Sequence, residues 1–202
     1  MKEELRQQFG NIDIYLFDQL LKGMYDDCQS VLDAGCGQGR NVAYFLQSGY
    51  QVYGVDSSAD NIAGIKKLAA PFSDNSPQEN FRIGLVENLP FNDEKFDLVI
   101  SSAVLHFASN VRHFEEMLNS MWRVVSPGGY LFCRLASDIG IENLVKSLGN
   151  GRYLLPDGSE RFLVNQEMLL NFTTVLGATL HEPIKTTNVQ NLRSMTTWCL
   201  QK

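Results

Sequence analysis

Short apolar runs of strand length alternate with longer segments of helical periodicity along most of this chain of 202 residues. The strand-like runs are rich in β-branched and aromatic residues and cover 30–34, 51–55, 81–85, 96–100 and 130–135. The helical segments repeat apolar residues at intervals of three and four and include 42–46, 62–69 and 114–125. Strand, helix and strand repeated in this way predict an α/β fold with a doubly wound parallel sheet and helices on both faces.

The C-terminal third departs from that alternation. The stretch 149–159 is polar and rich in turn residues, which predicts an irregular loop. Asn165 is placed to cap a helix that runs to about residue 175, with Gln166 and Glu167 in its first turn. Two last strands at 179–187 and 194–200 would form a hairpin. The sheet would then have seven strands and be mostly parallel, with an antiparallel strand at the C-terminus.

The chain is predicted to form one domain over residues 1–202. Apolar positions between Ile12 and Tyr25 predict an amphipathic helix that packs before the first strand, and we expect residues 1–28 to act as a lid. Residues 29–136 would form the ligand-binding core, and residues 137–202 would complete the sheet on the substrate side. A chain of this size buries about 70% of its unfolded surface, which is sufficient for one complete core.

Composition and charge narrow the range of functions. Hydrophobic residues make up 44% of the chain and charged residues 20%, which excludes a disordered protein. The formal net charge is −6, with −7 carried by residues 1–101 and +1 by residues 102–202. A duplex nucleic-acid partner is not expected, because affinity for phosphate depends on Lys and Arg gathered on one face.

The cysteines and histidines are scattered and show no zinc-binding spacing. They are Cys28, Cys36, Cys133, Cys199, His106, His113 and His181. Residues 1–10 contain two early acids and no apolar stretch, which argues against a signal or transit peptide. No window reaches the ~20 apolar residues of a membrane helix. We therefore expect a cytoplasmic protein without a metal or a membrane partner.

A glycine-rich loop after the first predicted strand is the strongest indication of a ligand. Gly35, Gly37 and Gly39 stand at every second position between an apolar strand and a helix. Glycine lets the backbone turn sharply beneath a ligand and directs N–H groups toward it. A dinucleotide-binding loop would place its third glycine at position 40, but that residue is Arg40.

Asp56 follows the second predicted strand, where nucleoside-binding α/β folds use an acid to accept hydrogen bonds from both ribose hydroxyls. The alternative is that Asp56 only caps the following helix, although Ser57 or Ser58 could cap it instead. Together, the loop and the acid predict a nucleoside ligand.

The chain resembles the class I S-adenosylmethionine-dependent methyltransferases that act on small molecules. The resemblance extends from about residue 30 to residue 135. The matching segments, in chain order, are 31–39, 54–58, 86–91, 96–106 and 122–131. Residues 37–41 also resemble the tellurite-resistance subgroup. The family implies a Rossmann-like fold and S-adenosylmethionine as the cofactor.

The resemblance also implies roles for single residues. Gly35, Cys36 and Gly37 would pass under the methionine part of the cofactor, with Cys36 a space-filling residue. The other implied cofactor-binding residues are Asp33 and Arg40 for the ammonium and carboxylate, Asp56 for the ribose, Ser57, Val86, Glu87 and Asn88 for the adenine, and Ser101 and Ser102 for the methyl channel. Many relatives have an acid where this chain has Leu85, so the adenine amine would meet Glu87 or a carbonyl.

The acceptor side is less defined by the sequence. His106 is the best-placed general base, if the acceptor arrives protonated, and local packing is its alternative role. Tyr15 could close over the cofactor or pack in the core. Arg152, Arg161 and Arg193 could surround an anionic acceptor or form surface ion pairs.

The predicted function is methyl transfer to a small-molecule acceptor by a monomer or homodimer. The sequence leaves open two alternatives from other functional classes. One is an NAD-dependent oxidoreductase, whose glycine spacing disagrees. The other is a non-catalytic S-adenosylmethionine-binding protein.

Overall fold

The predicted alternation is present in a computed structural model of the chain. It describes residues 2–202, and the side chains of all of these except residues 2, 3, 5 and 6. The strands are β1 (Ser30–Ala34), β2 (Gln51–Asp56), β3 (Phe81–Ile83), β4 (Phe96–Ser102), β5 (Val125–Ser137), β6 (Lys146–Gly149), β7 (Arg152–Leu154), β8 (Glu160–Phe162), β9 (Thr179–Leu180), β10 (Lys185–Val189) and β11 (Arg193–Gln201). The helices are α1 (Lys2–Phe9), α2 (Ile14–Leu21), α3 (Ala43–Gln47), α4 (Ala59–Ala69), α5 (Val111–Val124) and α6 (Gln166–Val175).

The main sheet confirms the predicted fold class. Its strand order is β10-β11-β5-β4-β1-β2-β3, and the two-residue β9 also pairs with β11. Strands β1 to β5 pair in parallel, whereas β11 is antiparallel to β5 and β10. The order reverses between β1 and β4, which opens a crevice at their carboxyl ends, where such sheets bind ligands.

The sheet separates two hydrophobic clusters, because successive side chains of a strand point to opposite faces. Along β4, Leu98 and Ile100 join the cluster that contains Phe45 and Ile65, which come from α3 and α4. Val99 joins the cluster on the other face, together with residues of α5 and α6. Helices therefore cover both faces, as the sequence predicts.

The N-terminal helix is shorter than predicted, and its buried face is different. Helix α2 begins after Asp13, whose carboxylate accepts the Tyr15 N–H, and it ends at Leu21. Ile14 and Leu21 are 63% and 71% exposed, although the apolar pattern places them in the core. Leu16 is fully buried instead. Residue 1 of the predicted lid lies outside the described residues.

The stretch 149–159 is not the irregular loop that its turn residues predict. It contributes to a second, three-stranded antiparallel sheet in the order β6-β7-β8. Glycines at the tight connection between β6 and β7 produce the turn signal without preventing pairing: Gly149 and Gly151 both have a positive φ. This small sheet borders the crevice.

The other C-terminal elements largely follow the prediction. Asn165 caps α6 by accepting the Met168 N–H at 2.7 Å, and β10 and β11 form the expected hairpin. The strand predicted over 179–187 is interrupted, because Pro183 has no N–H to continue the pairing. Residues 126–129, whose Ser-Pro-Gly-Gly sequence is typical of a turn, lie in a bulged part of β5 opposite Asp97. Within residues 2–202, no helix combines the length and apolar character that a membrane crossing requires.

Candidate active site

Three cavities meet at the crevice beyond β1, β2 and β4. The first, of about 470 Å³, lies along the glycine loop, and the second, of about 370 Å³, lies between Asp56 and Met117. The third, of about 300 Å³, is bordered by β5, β8 and β11. Gly35 lines the first and second, Arg40 the first and third, and Ala103 the second and third. The three cavities are therefore adjacent, and together they make up the candidate site.

The glycine loop has the geometry that the sequence predicts. Gly35, Gly37 and Gly39 have φ values of +83°, +51° and +90°, which L-residues with a Cβ rarely adopt. A Cβ on Gly35 would lie 2.4 Å from Cγ2 of Val104, which lines the second cavity. A Cβ on Gly37 would meet nothing within 4 Å. The loop therefore packs closely at Gly35 and leaves open space above Gly37.

Asp56 lies at the end of β2 and lines the second cavity. Its Oδ2 accepts the Gly37 backbone N–H at 2.9 Å. Its Oδ1 accepts the Ser58 backbone N–H at 2.9 Å and a hydrogen bond from the side-chain amide of Asn61 at 3.0 Å. Helix α4 is capped by Ser58, whose hydroxyl accepts the Asn61 N–H. Asp56 is thus fixed in place without being the cap. Three of its roughly four acceptor positions are filled, and the fourth, on Oδ2, is available to a ligand.

The predicted adenine-binding residues are partly gathered in the second cavity. Ser57, Val86 and Glu87 line it, and Glu87 Oε1 lies 3.5 Å from His113 Nε2. Asn88 is exposed and outside the three cavities, and its N–H donates to Leu85. His113 also lines the cavity.

Asp33 is buried too deeply to contact a ligand directly. It is 1% exposed, and neither carboxylate oxygen has a hydrogen-bond partner among the described residues. Burial raises its pKa from 3.8 to about 7, while the charge of Arg40 opposes this rise and that of Asp56 adds to it. Asp33 therefore lies behind the loop, outside the three cavities.

A buried polar network joins the N-terminal segment to the crevice. Asp13 Oδ2 accepts the Ser102 hydroxyl and Arg134 Nη1, each at 3.2 Å, and lies 3.6 Å from Arg40 Nη2. Arg40 also donates to Ser102 Oγ at 2.9 Å. The Asp13 N–H donates to the Asn41 side chain at 3.0 Å. These contacts hold the Arg40 guanidinium in the lining of the first cavity.

Sequence reasoning missed three residues of this region. Asp13 is the residue before the first apolar helix, which is an N-cap signal, and Arg134 interrupts an otherwise apolar strand. Ala103 follows β4 with a φ of +63°, a conformation that costs energy for a residue with a Cβ. No signal in the sequence marks Ala103.

The other predicted residues have varied positions. Cys36 lines the first cavity, and burial raises the pKa of its thiol, which disfavours the nucleophilic thiolate form. Ser101 is 1% exposed, and its hydroxyl has no partner among the described residues. The Tyr15 hydroxyl hydrogen-bonds to Thr187, and its ring lies under the Arg134 guanidinium at 4.9 Å. Tyr15 thus contacts the side of the crevice that faces the third cavity.

His106 lines the third cavity and is 6% exposed. Its Nδ1 accepts the Ala136 N–H at 3.3 Å. Burial lowers its pKa from 6.5 to about 4, and the charge of Arg161 lowers it further. His106 is therefore neutral at physiological pH, with its proton on Nε2.

The fold and the site define a nucleoside-binding α/β protein, with a glycine loop after β1 and an acid at the end of β2. The profile of the family described as methyltransferase domain matches residues 32–133, about half of the chain. The chain belongs to this family, and the resemblance to class I S-adenosylmethionine-dependent methyltransferases is confirmed.

Two curated relatives match the same half of the chain. An uncharacterised methyltransferase of Synechocystis sp. is 38% identical over 101 residues, which span 50% of this chain and 44% of that protein. A malonyl-(acyl-carrier protein) O-methyltransferase of Erwinia billingiae is 33% identical over 111 residues, or 54% of this chain and 40% of that protein. The chain thus matches less than half of the length of these relatives.

The fold is shared with solved methyltransferases. One is the 1,6-didemethyltoxoflavin-N1-methyltransferase of Burkholderia thailandensis, whose crystal structure holds 1,6-didemethyltoxoflavin and S-adenosylhomocysteine. Its TM-score is 0.71 at 17% identity, over 100% of this chain and 82% of that one. The present site fits S-adenosylmethionine, because the loop is open above Gly37 and the fixed carboxylate of Asp56 faces the adjoining cavity.

Proposed function

We propose that this protein transfers a methyl group from S-adenosylmethionine to a small-molecule acceptor. The observation that carries the proposal is the 2.9 Å hydrogen bond from the Gly37 N–H to Asp56, at the edge of a cavity of about 370 Å³. This contact joins the two parts of the nucleoside signature into one site. The missing third glycine of a dinucleotide-binding loop weighs against the NAD alternative.

The second cavity would hold the adenosine. Asp56 would accept a ribose hydroxyl at the free acceptor position on Oδ2, and Ser57 would lie beside the adenine. Val86 and Glu87 would face the adenine edge, with His113 holding the Glu87 carboxylate. Asn88 has a positioning role, because its N–H closes the turn that presents Val86 and Glu87.

The first cavity would hold the methionine part over the backbone of Gly35, Cys36 and Gly37. Arg40 would bind the carboxylate, since its guanidinium lines this cavity and is half exposed. Asp33 would act on the ammonium through its field rather than by contact, because its oxygens are closed off behind the loop. Ser102 would position Arg40, and Ser101 would lie behind it on β4.

When bound, S-adenosylmethionine supplies the methyl group, whose bond to sulfur breaks as its bond to the acceptor forms. The chain contributes alignment and exclusion of water, which can supply roughly 7–11 kcal/mol of a barrier. Ala103 lies where the adenosine and acceptor cavities meet, so it would border the path of transfer. His106 would donate a hydrogen bond from Nε2 rather than act as a base.

The proposal is tested by the release of S-adenosylhomocysteine from S-adenosylmethionine with a panel of acceptors. The panel contains thiols, amines, carboxylic acids, phenols and oxyanions of selenium and tellurium. Release that depends on one acceptor class supports the proposal. Failure to bind S-adenosylmethionine would contradict it, and binding without turnover of any acceptor would favour the non-catalytic alternative. The cytoplasmic location, the oligomeric state and the lack of a nucleic-acid partner stay predictions.

A further inference from the structure

Most of the charged side chains that line the third cavity are basic. Four arginines line it, against one carboxylate, and they come from the glycine loop, β5, β8 and β11. They are Arg40, Arg134, Arg161 and Arg193, and the carboxylate is Asp157. Because these residues are far apart in the sequence, the fold rather than any local motif brings the charges together. The cavity shares Ala103 with the adenosine cavity, so an acceptor bound in it would lie beside the cofactor.

Neighbouring carboxylates neutralise only part of the positive charge of these arginines. Arg134 is paired with Asp13 at 3.2 Å, and Arg40 lies 3.6 Å from the same carboxylate. Arg193 lies 3.7 Å from Asp157 Oδ2, a long contact for an ion pair. Asp157 also accepts hydrogen bonds from the backbone and hydroxyl of Ser159 at its other oxygen.

Arg161 has no carboxylate partner among the described residues. Its Nη1 donates to the Glu160 carbonyl at 2.7 Å, and its guanidinium lies over the Phe107 ring at 5.1 Å. These contacts orient the group, and Asp157, which lines the same cavity, acts on its charge at a distance without forming an ion pair with it. A partly buried guanidinium of this kind is suited to bind a carboxylate or another oxyanion by charge-assisted hydrogen bonds.

The neighbouring side chains favour the same ligand class. His106 lines the cavity, is neutral and carries its proton on Nε2, so it is a hydrogen-bond donor. A cationic acceptor would be repelled by the arginines. Arg152 is the remaining one of the three arginines that the sequence suggests for the acceptor, and it does not line the cavity. Its side chain instead donates to the Ala108 carbonyl and lies 3.6 Å from Glu160.

We propose that the methyl acceptor carries a carboxylate or a related oxyanion, which Arg161 and Arg193 bind in the third cavity while Arg40 remains with the cofactor. The proposal rests on the proposed function, since it assigns the acceptor subsite of that same enzyme. Arg134 supports the subsite from its ion pair with Asp13. The arginines determine which acceptor binds and do not take part in breaking or forming bonds.

The experiment is a calorimetric titration of the full chain saturated with S-adenosylhomocysteine. The probes are succinate, inorganic phosphate and succinamide, which is the uncharged counterpart of succinate. We expect both anions to bind and succinamide to bind at least about tenfold more weakly than succinate, because charged hydrogen bonds are worth that much. Arg161→Gln should weaken succinate at least about tenfold.

Arg152→Gln is the matched control, since it removes the same charge from the neighbouring strand outside the cavity, and it should change succinate affinity by less than about twofold. Binding of neither anion, equal binding of succinate and succinamide, or equal effects of the two substitutions would overturn the proposal. S-adenosylhomocysteine affinity, measured first in each protein, separates the two claims. Its absence contradicts the proposed function, whereas its presence without anion binding contradicts only the acceptor assignment.

Discussion

The cavity assigned to the adenosine and the cavity assigned to the acceptor are lined by residues of opposite charge. Asp33, Asp56 and Glu87 stand at or behind the cavities assigned to the cofactor, and all come from the acidic first half of the chain. Arginines dominate the third cavity, and most of them come from the second half. S-adenosylmethionine is a sulfonium with an ammonium group, so the acidic side matches it. The difference indicates that the two cavities select ligands of opposite charge.

The largest effect is expected from Gly35→Ala. The added Cβ would lie 2.4 Å from Val104, which lines the adenosine cavity. Either the loop or Val104 must shift, and both line the cofactor cavities, so the shape of the ligand site changes. Overpacking of this kind costs up to about 3 kcal/mol. Calorimetry should therefore show S-adenosylhomocysteine affinity falling about 100-fold.

Gly177→Ala is the control for backbone strain. Gly177 also has a positive φ, of +64°, but a Cβ there meets nothing within 4 Å. It should lose stability and retain affinity. If both variants lose affinity equally, the contact with Val104 does not shape the cofactor site.

Asp56→Asn should have the next largest effect. The substitution keeps the shape of the side chain but removes the charge and one acceptor oxygen, so the ribose hydroxyls and the Gly37 N–H compete for what remains. Affinity for S-adenosylhomocysteine should fall about 10- to 100-fold, in line with loss of charged hydrogen bonds. Asp60→Asn, in the first turn of α4, removes a nearby charge and should bind like the wild type. Equal affinities for all three proteins would remove Asp56 from the site.

Asp33→Asn sharpens the comparison through its dependence on pH. The folded protein holds a proton on Asp33 up to about pH 7, whereas the unfolded chain releases it near pH 3.8. The stability that comes from this proton is therefore complete below about pH 4 and is lost as the pH rises through 7. Asparagine does not titrate, so the Tm of the variant relative to the wild type should increase between pH 5 and pH 8, by several degrees.

The same variant should bind S-adenosylmethionine more weakly at pH 8, where the wild-type carboxylate is charged. Thermal melts and titrations at the two pH values test both statements. A Tm difference that does not change with pH would show that Asp33 is ionised throughout. Unchanged affinity at pH 8 would show that its field does not reach the ammonium.

Tyr15→Phe should have the smallest effect. It removes the hydrogen bond to Thr187 and keeps the ring under Arg134, so unfolding should become easier by about 0.5–1.5 kcal/mol. S-adenosylhomocysteine affinity should remain within about twofold of the wild type, because Tyr15 contacts the acceptor side. A loss comparable to that of Asp56→Asn would instead make Tyr15 part of a lid over the cofactor.

The same contrast describes what could be predicted from the sequence. The positions of Gly35, Gly37 and Asp56 at the crevice are predictable, because each follows from a short stretch of backbone at a strand end. The acceptor side depends on pairings between distant residues, such as Asp13 with Arg134, which local patterns do not encode. The small sheet of β6, β7 and β8 is missed because its glycines are typical of a loop. The exposure of Ile14 and Leu21 depends on how α2 packs on the rest of the fold.

The central claim is that the glycine loop and Asp56 form a site for S-adenosylmethionine. Titration of the wild-type chain with S-adenosylhomocysteine and, separately, with NAD tests it most directly. We predict one S-adenosylhomocysteine bound per chain and no heat of binding with NAD. Saturable binding of NAD without binding of S-adenosylhomocysteine would contradict the account.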